Sequence, residues 1–161
     1  MRWSRWLVLF GFLVVVFLIE WGGHKMTFSS VKSWYLTLEK PFWTPPSWLF
    51  GPVWTVLYVS MAVSGWLVWD RAKPSEMRRR SFFVYGGQLL ANLLWSYFFF
   101  FLRSPMMGLL DILLLLGLVG WNISLFMRLY KPAGLLLIPY FCWNLYAATL
   151  NFAIWVLNST L

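Results

Sequence analysis

Two tryptophans deep in apolar segments, Trp54 and Trp143, are the residues whose placement best suits ligand chemistry. At helical spacing, Trp54 shares a stripe with Gly51, Tyr58, Met61 and Gly65. On another segment, Trp143, Ala147 and Asn151 share one face, flanked by Tyr140 and Ile154. Small residues beside large flat rings suit either a planar ligand or a neighbouring helix. Trp143 could face Trp54 across a cavity.

Amide side chains add polar groups to this apolar setting. Gln88 and Asn92 are four residues apart, and Trp95 and Phe99 continue the same helical face. Polar groups inside membrane segments normally point toward the bundle interior. Two interpretations stay open for this pair, namely hydrogen bonds between helices and ligand binding.

Asp111 is a carboxylate inside an apolar segment. It has three candidate roles: a partner of the helix dipole near an N-terminus, an ion pair with Arg103, or a member of a proton path. We favour the first two roles.

Residue types that build conventional active sites are scarce. His24 is the only histidine and Cys142 the only cysteine, so an intrachain disulfide and a Cys/His metal site are excluded. There is no Gly-rich phosphate loop and no Ser-His-Asp set. We predict no metal site and no required cofactor, with Cys142 as a packing residue. For His24 we favour a solvated loop position over axial haem ligation.

Composition identifies the elements that must position these residues. The chain has 161 residues, 61% hydrophobic and 11% charged, with a mean hydropathy of +0.69. These values predict an all-α integral membrane protein formed by a single domain. Five apolar segments predict a five-transmembrane-helix bundle with spans at about 6–21, 47–69, 81–102, 105–127 and 133–157. The first segment resembles a signal peptide, but no small-x-small site follows, so we predict a permanent helix.

The net charge of +8 predicts topology rather than nucleic-acid binding. The basic residues lie between the apolar segments and form no recognition helix. Nine of the 13 Lys and Arg residues fall at the N-terminus and in the second and fourth loops. By the positive-inside rule, the N-terminus is cytoplasmic if the membrane is a bacterial inner membrane.

The segment "KPFWTPPSWLFGPVW", residues 40–54, combines prolines with tryptophans. Pro45 and Pro46 precede the second span and predict a rigid entry into its helix. For Trp43 and Trp48 we favour positions at the headgroup level. The loop 24–44 is long for a helix connection and predicts a lid, from which Lys32, Lys40 and Tyr35 could meet polar groups of a ligand.

Four motifs resemble the translocator proteins, also called tryptophan-rich sensory proteins or peripheral benzodiazepine receptors, the TspO/MBR family. They are "SWYLTLEKPFWTPP" (33–46), "VWTVLY" (53–58), "QLLANLLWSYFFF" (88–100) and "LLIPYFCWNLYAATLN" (136–151). The similarity covers essentially the whole chain and is to a bacterial-type member. It implies a five-helix bundle, commonly a homodimer, whose pocket under the first loop accepts porphyrins such as protoporphyrin IX or haem, and benzodiazepine-type drugs.

The resemblance also implies a pocket and a function. By motif position, the pocket residues would be Tyr35, Trp43, Trp54, Asn92, Trp143, Ala147 and Asn151. The implied function is a tetrapyrrole-binding sensor or regulator. One alternative is light- and oxygen-dependent porphyrin degradation, with Trp54 and Trp143 as the catalytic residues. Another is a porphyrin or amphiphile transporter using the intramembrane Asp111, Gln88 and Asn92.

The sterol motif of animal members is incomplete in this chain. That motif needs an aromatic residue, usually Tyr, followed by Lys or Arg near the end of the fifth span. Here the region reads "ATLNFAIWVLNSTL", with Phe152 and no basic residue after Lys131. We therefore do not expect high-affinity cholesterol binding.

Overall fold

The computed structural model describes residues 3–159 and contains no β-strand within that range. Its helices are α1 (Trp3–Val31), α2 (Trp34–Thr37), α3 (Ser47–Arg71), α4 (Glu76–Ser96), α5 (Pro105–Leu129), α6 (Lys131–Leu136) and α7 (Ile138–Asn158). A π-helical turn, Tyr97–Phe101, continues α4. The protein is therefore an all-helical membrane protein.

Four stretches among the described residues are long and apolar enough to cross a membrane. They are Ser4–Val31, Ser47–Arg71, Pro105–Leu129 and Lys131–Asn158, the last of which joins α6 and α7. The predicted count of five spans is not confirmed, because α4 is not among them. Its sequence begins with Glu76 and soon has three consecutive arginines, and it later includes Gln88 and Asn92, which lowers its hydropathy.

The first helix is longer than the predicted span 6–21. It continues to Val31, so the segment between α1 and α3 covers residues 32–46 rather than the predicted loop 24–44. The prediction stopped where the apolar run stopped, but no proline interrupts the chain before residue 41. His24 therefore lies on a helix and not in a loop. At the other end of the segment, Pro46 caps α3, as the two prolines predicted.

The long helices form a ring around a closely packed centre. Helix α1 packs on α3 and α4, α4 on α5, and α5 on α6 and α7, while α3 closes the ring mainly through α6. The completely buried side chains at the centre include Met61, Ile112, Leu115, Val119, Phe126 and Tyr140. Helices α3 and α7 meet at few positions, and this sparse packing leaves room for a cavity between them.

A cluster of polar and aromatic contacts fastens the start of α1 to the end of α3. Arg5 forms a bidentate ion pair with Asp70, and Arg71 Nε lies 3.0 Å from the same carboxylate. Trp66 Nε1 donates to the Arg5 carbonyl at 3.0 Å, and its ring stacks on Trp6 with 5.8 Å between centroids. These contacts anchor a helix whose outer face is otherwise exposed.

Replacing Asp70 with asparagine should loosen this anchor. The Asp70 side chain is 5% exposed while Arg5 is 45% exposed, so we expect a loss of about 1 kcal/mol. That loss corresponds to a drop of about 2–4 °C in the melting temperature in detergent. Glu76→Gln is the matched control, because the Glu76–Arg79 pair is exposed at both ends. Equal melting temperatures for the two variants would contradict the anchoring role.

Candidate functional site

A cavity of about 590 Å³ lies between α1, α3, α4, the π-helical turn and α7. Ligand pockets in proteins typically measure about 300–1,000 Å³. Six of the seven residues assigned to the pocket from sequence line this cavity: Tyr35, Trp54, Asn92, Trp143, Ala147 and Asn151. Residues from distant parts of the chain therefore meet at one site.

Both indoles line this cavity, Trp54 from α3 and Trp143 from α7. The Trp54 ring contacts Tyr58 and Tyr140, with centroid distances of 5.6 and 6.3 Å. The Trp143 ring contacts Phe50 at 6.0 Å. Both indoles are half-buried, so each keeps ring surface available to a ligand.

Trp43 lies outside the cavity, which corrects the position implied by the family resemblance. It is 41% exposed and lines a separate apolar groove on the outside of α5 and α7. Its ring contacts Phe42 at 4.9 Å. Trp48 is also exposed, at 69%, and the headgroup-level placement of these two residues stays a prediction.

Asn151 connects three elements beside the cavity. Its Oδ1 accepts a hydrogen bond from Trp95 Nε1 at 3.0 Å, and its Nδ2 donates to the Pro105 carbonyl at 2.6 Å. Trp95 is stacked on Phe99, with 5.2 Å between ring centroids. Gly108 lets α5 approach, since a Cβ there would lie 3.0 Å from both Asn151 Oδ1 and Phe99. The amide therefore fixes the orientation of a third indole in the cavity wall.

The two amides of α4 have different roles. Gln88 is fully buried away from the cavity, and its Nε2 donates to Asn122 Oδ1 on α5 at 3.3 Å. Asn92 Oδ1 accepts from the Tyr58 hydroxyl at 2.5 Å and also lines the cavity. Hydrogen bonding between helices accounts for Gln88, whereas Asn92 combines it with a place in the cavity wall.

Asp111 has neither of the two roles favoured from sequence. It is the seventh residue of α5, beyond the first turn where the helix dipole acts. No ion pair joins it to Arg103 within residues 3–159. Its side chain is buried, with Oδ2 lacking a hydrogen-bond partner, and it does not line the cavity.

Sequence reasoning missed two ionisable residues in the cavity wall, Glu20 and His24. They are four residues apart on α1 and therefore share one face of the helix. Thr55 Oγ1 lies 3.5 Å from Glu20 Oε1, and the His24 ring contacts Phe28 at 5.5 Å. Their spacing was a usable signal, but the predicted first span ended between them.

The covering segment, residues 32–46, is attached to α7 through its backbone. Asn158 accepts from the Glu39 N–H and donates to the Glu39 carbonyl, both at 3.0 Å. The Tyr146 hydroxyl donates to the Trp43 carbonyl at 2.6 Å. These bonds tie the segment, whose Tyr35 lines the cavity, to α7 without using the side chains of residues 39 and 43.

Tyr35 and Lys40 lie together where the covering segment meets the cavity. Burial raises the pKa of the Tyr35 phenol, with a smaller contribution from Tyr146, so the hydroxyl is neutral at physiological pH and can donate. Lys40 Nζ lies 4.8 Å from the centre of the Tyr35 ring and donates to the Leu38 carbonyl at 2.9 Å. A ligand reaching this edge would meet one cation and one phenol.

Within residues 3–159, no group of three or more His, Cys, Asp or Glu side chains is placed to hold a metal ion. The residues that line the cavity offer aromatic faces, hydrogen-bonding side chains and single ionisable groups.

Comparison with known proteins places this architecture in a family. A model described as the TspO/MBR family matches residues 12–156. The "Tryptophan-rich protein TspO" of Archaeoglobus fulgidus is 41% identical over 147 residues, covering 91% of this chain and 94% of that protein. The human "Translocator protein" is 32% identical over 151 residues, covering 93% of this chain and 89% of the human protein. "Protein CrtK" of Rhodobacter capsulatus is 36% identical over 137 residues, covering 85% of this chain and 86% of that protein. Because both the family model and these relatives span most of its length, the chain belongs to the TspO/MBR family.

Proposed function

We propose that this chain is a membrane receptor that binds a tetrapyrrole, such as protoporphyrin IX, in the cavity and serves as a sensor or regulator. The observation that supports the proposal is that Trp54 and Trp143 both line a cavity of about 590 Å³. A flat macrocycle offers a broad apolar face for stacking on indoles. Its carboxylates would lie at the edge near Lys40, where the covering segment supplies a cation. Benzodiazepine-type drugs are a second class of flat apolar ligand for the same walls.

The proposal includes a fifth membrane crossing by α4. This helix and its π-helical turn supply Asn92, Trp95, Ser96, Phe99 and Phe100 to the cavity. Gln88 and Asn92 point into the bundle and are hydrogen-bonded there, which is how polar side chains are accommodated within a membrane. The complete unit would be a five-helix bundle with a cytoplasmic N-terminus, functioning as a homodimer.

Titration of protoporphyrin IX into the protein in detergent tests the proposal. We expect saturable quenching of tryptophan fluorescence, because four indoles, those of Trp21, Trp54, Trp95 and Trp143, line the cavity. Trp48→Ala is the control, since that indole is exposed and outside the cavity. Quenching that rises linearly without saturation, as for porphyrin partitioning into micelles alone, would contradict specific binding.

A second candidate function is light- and oxygen-dependent breakdown of the bound porphyrin, with dioxygen as the oxidant. It is favoured by the same two electron-rich indoles in the cavity wall. Illumination of the aerobic complex should bleach the porphyrin faster than illumination of porphyrin in empty micelles. The Trp54→Phe, Trp143→Phe double variant should lose that excess while still binding. Equal bleaching in protein and in micelles would leave binding as the sole function.

Transport receives less support from the geometry. Of the three intramembrane residues that a transport path would use, Asn92 lines the cavity, whereas Gln88 and Asp111 do not. No continuous polar path therefore links these three side chains through the cavity.

A further inference from the structure

The cavity wall has a carboxylate where a dicarboxylate ligand would need a basic side chain. Glu20 is the one carboxylate among the described residues that line the cavity, and no Lys or Arg lines it. Aromatic rings, including Trp54 and Tyr58, line the same cavity, and Thr55, the residue after Trp54, contacts Glu20. A carboxylate in a cavity lined by aromatic rings is a setting in which proteins recognise organic cations.

Glu20 has acceptor capacity that the described part of the protein does not fill. No Lys or Arg forms an ion pair with it within residues 3–159. Its one hydrogen-bond contact there is Thr55 Oγ1, at the long distance of 3.5 Å. The same hydroxyl lies 3.0 Å from the Gly51 carbonyl, and a threonine has only one hydroxyl proton to donate. When that proton goes to Gly51, the Glu20 carboxylate receives nothing from α3.

A half-buried carboxylate with few donors is costly, and a cationic ligand would relieve that cost. His24, one turn further along α1, lines the same cavity. In its neutral form the imidazole supplies an acceptor nitrogen. The basic side chain nearest along the helix, Lys25, lies instead over the Trp21 ring, with Nζ 5.6 Å from its centre.

We propose that the cavity contains a cation subsite centred on Glu20, which selects flat aromatic ligands carrying a protonated or quaternary amine. The ring system stacks on the aromatic wall, and the ammonium group lies between Glu20 and the Trp54 ring. This ligand class is distinct from the dicarboxylate tetrapyrroles, whose acidic groups would be repelled by Glu20 and directed to the Lys40 edge. The proposed subsite depends on the cavity and on the charge of Glu20, and it does not require that the protein binds a tetrapyrrole.

Three acridines of similar shape test the subsite in a neutral detergent at pH 7.5. The probes are 9-aminoacridine, which is cationic, unsubstituted acridine, which is neutral, and acridine-9-carboxylic acid, which carries an acidic group. We expect the wild-type protein to bind the cation most tightly and the acid least tightly, by quenching of tryptophan fluorescence. Equal affinities for all three probes would overturn the proposal, and this comparison needs no variant.

Glu20→Gln then assigns the preference to one residue. Because the variant keeps size and hydrogen bonding but removes the charge, 9-aminoacridine affinity should fall about tenfold while acridine affinity stays unchanged. Glu20→Asp should retain the preference for the cation, and Glu76→Gln, an exposed site on α4, should behave as wild type. An undiminished preference for the cation in Glu20→Gln would overturn the assignment.

Protoporphyrin IX titrated into the same samples separates this proposal from the proposed function. If the cation preference is present but protoporphyrin does not bind, the tetrapyrrole function fails and the subsite stands. If protoporphyrin binds and the acridines show no charge preference, the subsite fails and the tetrapyrrole function stands. Protoporphyrin affinity in Glu20→Gln should equal or exceed that of wild type, since a repulsive charge has been removed, and this also shows that the variant is folded.

Discussion

The Trp54→Ala, Trp143→Ala double variant should bind protoporphyrin IX at least about 30-fold more weakly than wild type. Each truncation removes one large aromatic wall of the cavity, and stacking plus apolar contact at a single indole is worth on the order of 1–2 kcal/mol. Loss of both indoles therefore amounts to about 2–4 kcal/mol, and 1.4 kcal/mol is a factor of ten. The measurement is the dissociation constant from porphyrin absorbance, because two of the fluorescent reporters have been removed.

Two controls make this result specific to the cavity. Trp43→Ala and Trp48→Ala remove indoles that lie outside it, so both variants should bind protoporphyrin as wild type does. The single variants Trp54→Ala and Trp143→Ala should each lose part of the affinity. A double variant that binds as tightly as Trp48→Ala would show that the indoles of Trp54 and Trp143 do not hold the ligand.

Asn151→Leu should destabilise the protein more than Asp70→Asn does. It removes the acceptor of Trp95 Nε1 and the donor to the Pro105 carbonyl while keeping the number of side-chain heavy atoms. Hydrogen bonds between membrane helices average below 1 kcal/mol but reach about 1.7, and two part-buried groups lose their partners at once. We expect a loss of about 2–3 kcal/mol, and hence a fall of about 4–12 °C in the melting temperature in detergent.

Thr149→Val on the same helix is the matched control, since Thr149 is exposed and its hydroxyl bonds only to the Tyr146 carbonyl of its own helix. Its melting temperature should stay within about 2 °C of wild type. Asn151→Leu should also weaken porphyrin binding, because Trp95 is no longer held in its orientation. An Asn151→Leu variant as stable as Thr149→Val would refute the bridging role of this amide.

Helical periodicity was sufficient to predict the centre of the site. The spacing of Trp143, Ala147 and Asn151 placed them on one face, and the structure brings that face to the same cavity as Trp54. Side chains four residues apart share a face in any helix, so this part of the site needed no tertiary information. Asn92 was predicted in the same way.

Features that depend on where a helix ends, or on which neighbour it meets, were not predictable in this way. Hydropathy ends the first span at Trp21, but the helix continues to Val31 because nothing in its backbone chemistry stops it. Because the predicted span ended at residue 21, Glu20 and His24 were not assigned to a helix face that lines the cavity.

For Asp111, the ion pair with Arg103 looked plausible along the sequence. Arg103, however, lies in the connection between the π-helical turn and α5, with a positive φ of 53°, and forms no ion pair among the described residues. Trp43 and Trp54 are both tryptophans, but Trp54 lines the cavity and Trp43 does not. The position of Trp43 depends on how the covering segment packs, which the sequence does not show.

The attachment of the covering segment to α7 has a consequence for how this molecule can diversify. Asn158 and Tyr146 grip main-chain atoms of residues 39 and 43, and every amino acid offers the same carbonyl, with proline alone lacking the N–H. Substitutions at those two positions, other than proline at position 39, therefore preserve these hydrogen bonds. The side chains of residues 39 and 43, neither of which lines the cavity, can therefore vary among related chains without detaching the segment that brings Tyr35 to the cavity.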